Sequence, residues 1–102
     1  MEITMRVSGY ACEPNVIELG AAGSRGVTAL HIIFDAGWEG MKKTVNWETG
    51  AGVMHTPVDE SGMVDVPQEA LETAGRRRFS VSGTNGQKRI VTGSCTYKVR
   101  QT

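Results

Sequence analysis

Polar and apolar residues alternate with a period of two along most of this chain, the pattern of strands that bury one face. In Glu2-Ile3-Thr4-Met5-Arg6-Val7 the alternation is unbroken: Ile3, Met5 and Val7 share one face, and Glu2, Thr4 and Arg6 the other. Ser8-Gly9 ends that strand, Tyr10 to Pro14 reads as an irregular connection, and Asn15 to Leu19 as a short edge segment. Gly20 to Gly26 is rich in small residues and reads as a surface loop. Val27 to Asp35 is the most strand-like run, with Thr28, Leu30, Ile32 and Phe34 on one face and Val27, Ala29, His31 and Ile33 on the other. Both faces are largely apolar, which predicts a central strand covered on both sides or one whose outer face meets a neighbouring chain. Gly37-Trp38-Glu39-Gly40 then turns the chain into a return strand, Lys42 to Trp47, as a hairpin with Val45 and Trp47 inward. Val53 to Val58 is a short strand weakened by Pro57, and Ser94 to Arg100 alternates again with Cys95, Tyr97 and Val99 buried.

The stretch from Met63 to Thr92 organises the rest. Met63 to Val66 is a strand stopped by Pro67, which lacks a backbone donor and suits the first position of a helix. Gln68-Glu69-Ala70-Leu71-Glu72 supplies good helix formers, and Gly75 stands where a left-handed C-terminal cap belongs. Phe79-Ser80-Val81 alternates, Thr84-Asn85-Gly86 suits a hairpin turn, and Lys88 to Thr92 runs back. The whole reads as a single domain over residues 1–102, an all-β antiparallel sandwich of about seven to nine short strands with one helical turn between Pro67 and Gly75. A partly open barrel is the alternative.

Composition changes this picture little. With 39% hydrophobic and 22% charged residues the chain falls among ordinary globular domains. Eleven basic side chains balance eleven acidic ones. No net field therefore favours nucleic acid or an anionic membrane, and neither is expected as a partner. The N-terminus lacks the pattern of a cleaved secretion signal. Cys12 and Cys95 are the only cysteines. Two cysteines and two widely spaced histidines do not make a zinc motif, and two reduced thiols are expected. A disulfide remains open, provided the fold brings the Cα atoms within about 7 Å.

The candidate chemistry is thin. His31 lies mid-strand between apolar residues, a packing or interface position, and neither histidine has a sequence neighbour suited to general base catalysis. Asp59-Glu60-Ser61-Gly62 lacks the spaced ligands of a calcium loop and reads as a turn. Arg76-Arg77-Arg78 is the one basic cluster, with Lys88 and Arg89 expected across the hairpin from it. Strand alternation places Arg76 and Arg78 on one solvent face and Arg77 opposite or frayed. Such a cluster blunts a sheet edge, or else meets an anionic patch on a partner protein or glycan. Tyr10, Trp38 and Trp47 are the rings available for a sugar-stacking platform, with Trp47 assigned to the core and Trp38 to the surface. The residues expected at an interaction surface are thus Trp38, Tyr10, His31, Arg76, Arg78 and Arg89. No catalytic residue, cofactor or metal is assigned.

One motif series carries a resemblance. Gly62-x-Val64-x-Val66-Pro67-x-Glu69-x-Leu71-x-x-x-Gly75 is followed by Phe79-x-Val81-x-Gly83, then Gly86-x-Lys88-Arg89-Ile90-x-Thr92, then Val99. It resembles small immunoglobulin-like β-sandwich proteins of tailed phages and prophages, of the baseplate or tail-associated N-terminal domain type. The resemblance covers the C-terminal half, and its motifs are turn, cap and core residues that carry no functional site. It implies a non-enzymatic structural or adaptor protein acting through protein contacts, with other phage proteins or further copies of itself as partners. The place implied is the virion tail, or the host cytoplasm during assembly. A module that binds bacterial surface glycans is the alternative function.

Overall fold

The alternating runs fold as strands, and a computed structural model describes them over residues 2–24, 26 and 28–101. In chain order these are β1 (Glu2–Ser8), β2 (Ala11–Glu13), β3 (Val16–Ala21), β4 (Ala29–Phe34), β5 (Lys42–Thr49), β6 (Gly52–Pro57), β7 (Met63–Asp65), β8 (Gly75–Thr84), β9 (Arg89–Val91) and β10 (Cys95–Arg100). They form an all-β sandwich of two sheets. The smaller has the order β2-β1-β4-β7, and the larger β3-β10-β8-β5-β6, with β9 also on β8. The inward rows supply the core: Met5, Val7, Leu30, Ile32 and Val64 from the small sheet face Ile17, Leu19, Val45, Trp47, Phe79, Val81, Tyr97 and Val99 from the large one. Trp47 anchors the centre, its ring 5.3 Å from Phe79 and 5.4 Å from Tyr97 between centroids. Aromatic side chains of this size each remove about 150–250 Å² from water, so this trio is a large share of the burial that holds the sheets together.

Several sequence expectations need correction. The sandwich is not wholly antiparallel, because β1 runs parallel to β4 and β3 parallel to β10. Ten strands are present among the described residues, since Ala11–Glu13, read as an irregular connection, pairs with β1 as β2. The run opening at Val27 begins as a strand at Ala29, and Val27 itself lies outside the described residues. β4 is central in the small sheet, between β1 and β7, and its outer row of Ala29, His31 and Ile33 is half-buried.

The expected hairpin between β4 and β5 does not exist, because the two strands belong to different sheets. Asp35 caps a 3-10 turn at Ala36–Trp38, accepting the Gly37 N–H at 3.0 Å and the Gly9 N–H at 2.7 Å. The turn sends the Trp38 indole into the core while the chain crosses to the other sheet. β5 pairs instead with β6, through the two-residue turn Gly50-Ala51. The Pro67 stop is followed by a 3-10 turn, Gln68–Leu71, that buries Ala70 and Leu71. Gly75 is not its cap: with φ at +130° it opens β8 opposite Val99. The Asn85-Gly86 hairpin forms as expected, with Asn85 Oδ1 accepting the N–H groups of Gln87 and Lys88, and Thr84 opposite Arg89.

The cysteines also differ from expectation. Cys12 on β2 and Cys95 on β10 are disulfide-bonded, with their Cα atoms 6.4 Å apart. The bond joins one sheet to the other across 83 residues of sequence. Closing a loop of that length in the unfolded chain contributes about 4–5 kcal/mol in the chain-entropy account. Two inward positions meet across the sandwich here, a proximity that spacing along the chain does not reveal.

Candidate functional site: a cleft lined by three arginines

The residues expected at an interaction surface are scattered. Trp38 is fully buried, with 0% of its surface exposed, and its Nε1–H donates to the Gly9 carbonyl at 3.0 Å. It is a core residue that holds the β1–β2 loop, so the expectation of a surface ring fails. Trp47 is equally buried, and the platform of three rings is not formed. Tyr10 alone of the three is outside, at 72% exposure. His31 lies on the outer row of the small sheet, with Nε2 3.1 Å from the Ser61 carbonyl. Arg89 pairs opposite Thr84, six residues along β8 from Arg78, so it stands roughly 20 Å from the arginine cluster rather than across from it. The Asp59 turn is as expected: its carboxylate accepts from the Ser61 and Met63 N–H groups and the Ser61 hydroxyl, each at 2.9 Å. Those bonds, Met63 first, hold its pKa below the ordinary carboxylate range.

Arg76 and Arg78 do share the outer face of the large sheet, with Arg77 on the inward row beside Tyr97. What alternation leaves out is the opening between strands. β5 pairs with β8 only from Lys42–Thr84 to Trp47–Phe79, and beyond that point the ladder stops. Among the described residues, Gly75 to Arg78 therefore pairs with β10 on one side and with no strand on the other. Val81 exchanges hydrogen bonds with Thr92 on the β9–β10 side. By alternation along an antiparallel strand, the backbone groups of Arg76 and Arg78 then face the opposite, open side. The result is a cleft of about 500 Å³ lined by Glu48, Thr49, Arg76, Arg77, Arg78 and Thr96.

Two contacts brace this cleft. Tyr97 donates its hydroxyl to the Glu48 carbonyl, so the end of β5 is held by a side chain where a strand partner is lacking. Burial of that phenol raises its pKa, the Arg77 charge opposing and the Glu48 charge reinforcing the effect. Arg78 Nε donates to Glu48 Oε2 at 3.1 Å, and the two side chains are 68% and 50% exposed. An ion pair that exposed contributes at most about 1 kcal/mol. It is the one ion pair among the described residues, so neither Arg76 nor Arg77 has a carboxylate partner there.

A polar strip adjoins the cleft on the same sheet face. Asn46 Nδ2 lies 3.3 Å from the hydroxyls of both Ser80 and Ser82, and Asn46 Oδ1 lies 2.7 Å from His55 Nδ1. Serine and histidine are thus separated by an amide, which is no base. The strip presents donors and acceptors rather than an activated nucleophile. A second depression of about 360 Å³, lined by Asn46, Glu48, Val53, Arg78, Phe79, Ser80 and Ser94, continues from the cleft through the shared Glu48 and Arg78.

Sequence reasoning found Arg76 and Arg78 but missed Glu48, Thr49, Arg77 and Thr96 as one site. A signal was present: three consecutive arginines must place one on the inward row, and a cation there belongs at a gap in the core. Models of known protein families give no match to this chain, and no curated protein matches it.

Proposed function

We propose that this protein is a non-enzymatic structural or adaptor subunit of the tail or baseplate type, an immunoglobulin-like sandwich that works through protein contacts. The reading is supported by the V-P-x-E-x-L series and by one observation on the sheet edges. β2 and β7 are edge strands of three residues each, and β3 carries Glu18 and pairs through a bulge. Short length, charge and bulges are the devices that keep edges from pairing with other chains. β6 has six residues, and no charged residue occurs from Thr49 to Val58; Pro57 at its end is the one blocking feature. Val53 on that edge is 56% exposed. An uncharged edge of this length suits strand addition by another copy or by a second particle protein.

Light scattering across a concentration series tests the contact, with Val53→Lys as the variant that puts a charge on the edge. Self-association that Val53→Lys abolishes is expected. Electron microscopy of the labelled chain tests the location, and label on assembled tails is expected. A clean monomer at high concentration that labels no particle overturns the proposal.

A further inference from the structure

We infer that the arginine-lined cleft binds a dianionic phosphate group, and that the adjoining polar strip takes the hydroxylated body of the same ligand, as in a sugar phosphate. The charge balance selects the class. Three guanidinium groups and the Glu48 carboxylate line one opening, leaving two positive charges, the complement of a phosphate monoester near neutral pH. Guanidinium forks match phosphate oxygens in pairs, and Arg76 and Arg77 have no carboxylate partner among the described residues. Arg77 is half-buried on the inward row beside the Tyr97 phenol, and a partly desolvated cation gains most from a counterion. The backbone N–H groups of Arg76 and Arg78 face the open side, and the Thr96 hydroxyl lines it. The Thr49 hydroxyl is already committed, donating to the Gly52 carbonyl at 2.6 Å and accepting from the Ala51 N–H at 3.1 Å.

The cleft is larger than one phosphate needs, and it continues over Ser80, Asn46 and Ser94, with Val53 as an apolar wall. Hydroxyls and an amide beside a small apolar surface are what a polyol requires. No ring in this depression is exposed for stacking, since Phe79 is 2% exposed, so the phosphate carries the affinity and the strip adds selectivity. The strip meets the β6 edge proposed above at Val53, but the arginine cleft contains no residue of β6, so phosphate binding there stands or falls apart from the edge contact.

Amide chemical shifts of the intact, oxidised protein are followed during titration with inorganic phosphate, glucose 6-phosphate and glucose, at constant ionic strength set by chloride. Saturable shifts at Glu48, Gly50, Arg76 to Arg78 and Thr96 are expected with both phosphates. Glucose 6-phosphate should bind more tightly than phosphate and add shifts at Asn46 and Ser80, while glucose alone gives none. Arg77→Gln should weaken both phosphates about tenfold or more. Arg76→Gln, at an exposed position, should do the same in a protein of unchanged melting temperature. Absence of saturable phosphate shifts overturns the site, as do affinities unchanged in both variants. Equal affinity for phosphate and glucose 6-phosphate overturns the assignment of the strip.

Discussion

Where β8 ends, the sandwich is shut by a ring; where β8 begins, it stays open and is lined with charge. At the shut end, Trp38 fills the space between the sheets, satisfies its one polar atom on Gly9, and lies so close to Gly83 that a Cβ there would sit 2.9 Å from the indole. Phe34 packs against it with ring centroids 5.3 Å apart and planes tilted by 43°, and the Lys43 ammonium covers Phe34 at 5.0 Å from the ring centroid. At the open end, Tyr97 reaches out from the core to hold Glu48, but the strands part and three arginines line the gap. Both ends bring an aromatic side chain with a hydrogen-bonding group to the rim. They differ in what meets it: a backbone loop that folds over Trp38, and a ladder that stops short of Tyr97. The first arrangement contributes stability, and the second leaves an unfilled, charged surface free to bind.

Four substitutions probe that contrast. Trp38→Ala should cost the most, about 3–5 kcal/mol, through the cavity it leaves and the loop it releases, seen in chemical denaturation under oxidising conditions. Gly83→Ala should cost about 1–3 kcal/mol, because the new methyl would sit 2.9 Å from the buried Trp38 ring, although the Met41 side chain at 3.1 Å can give way. A neutral effect would show that the shut end is looser than described. Tyr97→Phe should cost about 1 kcal/mol for the lost hydrogen bond to Glu48.

The same variant carries a pH signature. Because burial raises the Tyr97 pKa, the folded state holds the phenolic proton more tightly than the unfolded chain does. Its contribution is complete below the ordinary value near 10.0 and is lost as the pH rises from there through the higher folded value. Melting curves at alkaline pH should therefore fall less steeply for Tyr97→Phe than for the parent. The smallest effect belongs to the open rim: Arg76→Gln should change stability by less than about 0.5 kcal/mol, as expected of an exposed side chain with no carboxylate partner among the described residues. A larger loss would make the arginines part of the scaffold and erase the distinction between the two ends.

Much of the fold was legible along the chain because strand pattern, turns and stops are local. The period of two in Glu2 to Val7 and Ser94 to Arg100 buried Met5, Val7, Cys95, Tyr97 and Val99 and left Ile3 half-buried, Asn85-Gly86 made its hairpin, and Pro67 ended its strand. Val45 and Trp47 faced inward as their spacing required. The candidate site was legible only in part: alternation placed Arg76 and Arg78 on one face, but the opening beside them depends on where β5 leaves β8.

The rest was decided by partners distant in sequence. Trp38 looked like a turn residue because its neighbours are glycines and a glutamate, and nothing nearby says that the chain crosses between sheets there. Cys12 and Cys95 stand 83 residues apart and become neighbours only when β2 and β10 close the sandwich. The parallel pairs β1–β4 and β3–β10 were invisible for the same reason, since a strand's own residues set which face is buried but not which strand lies alongside. Alternation is a property of neighbouring residues, and so the sequence determined which side chains turn inward. Sheet membership, the disulfide and the arginine cleft arise where remote segments meet, and only the packing of the whole chain assigns them.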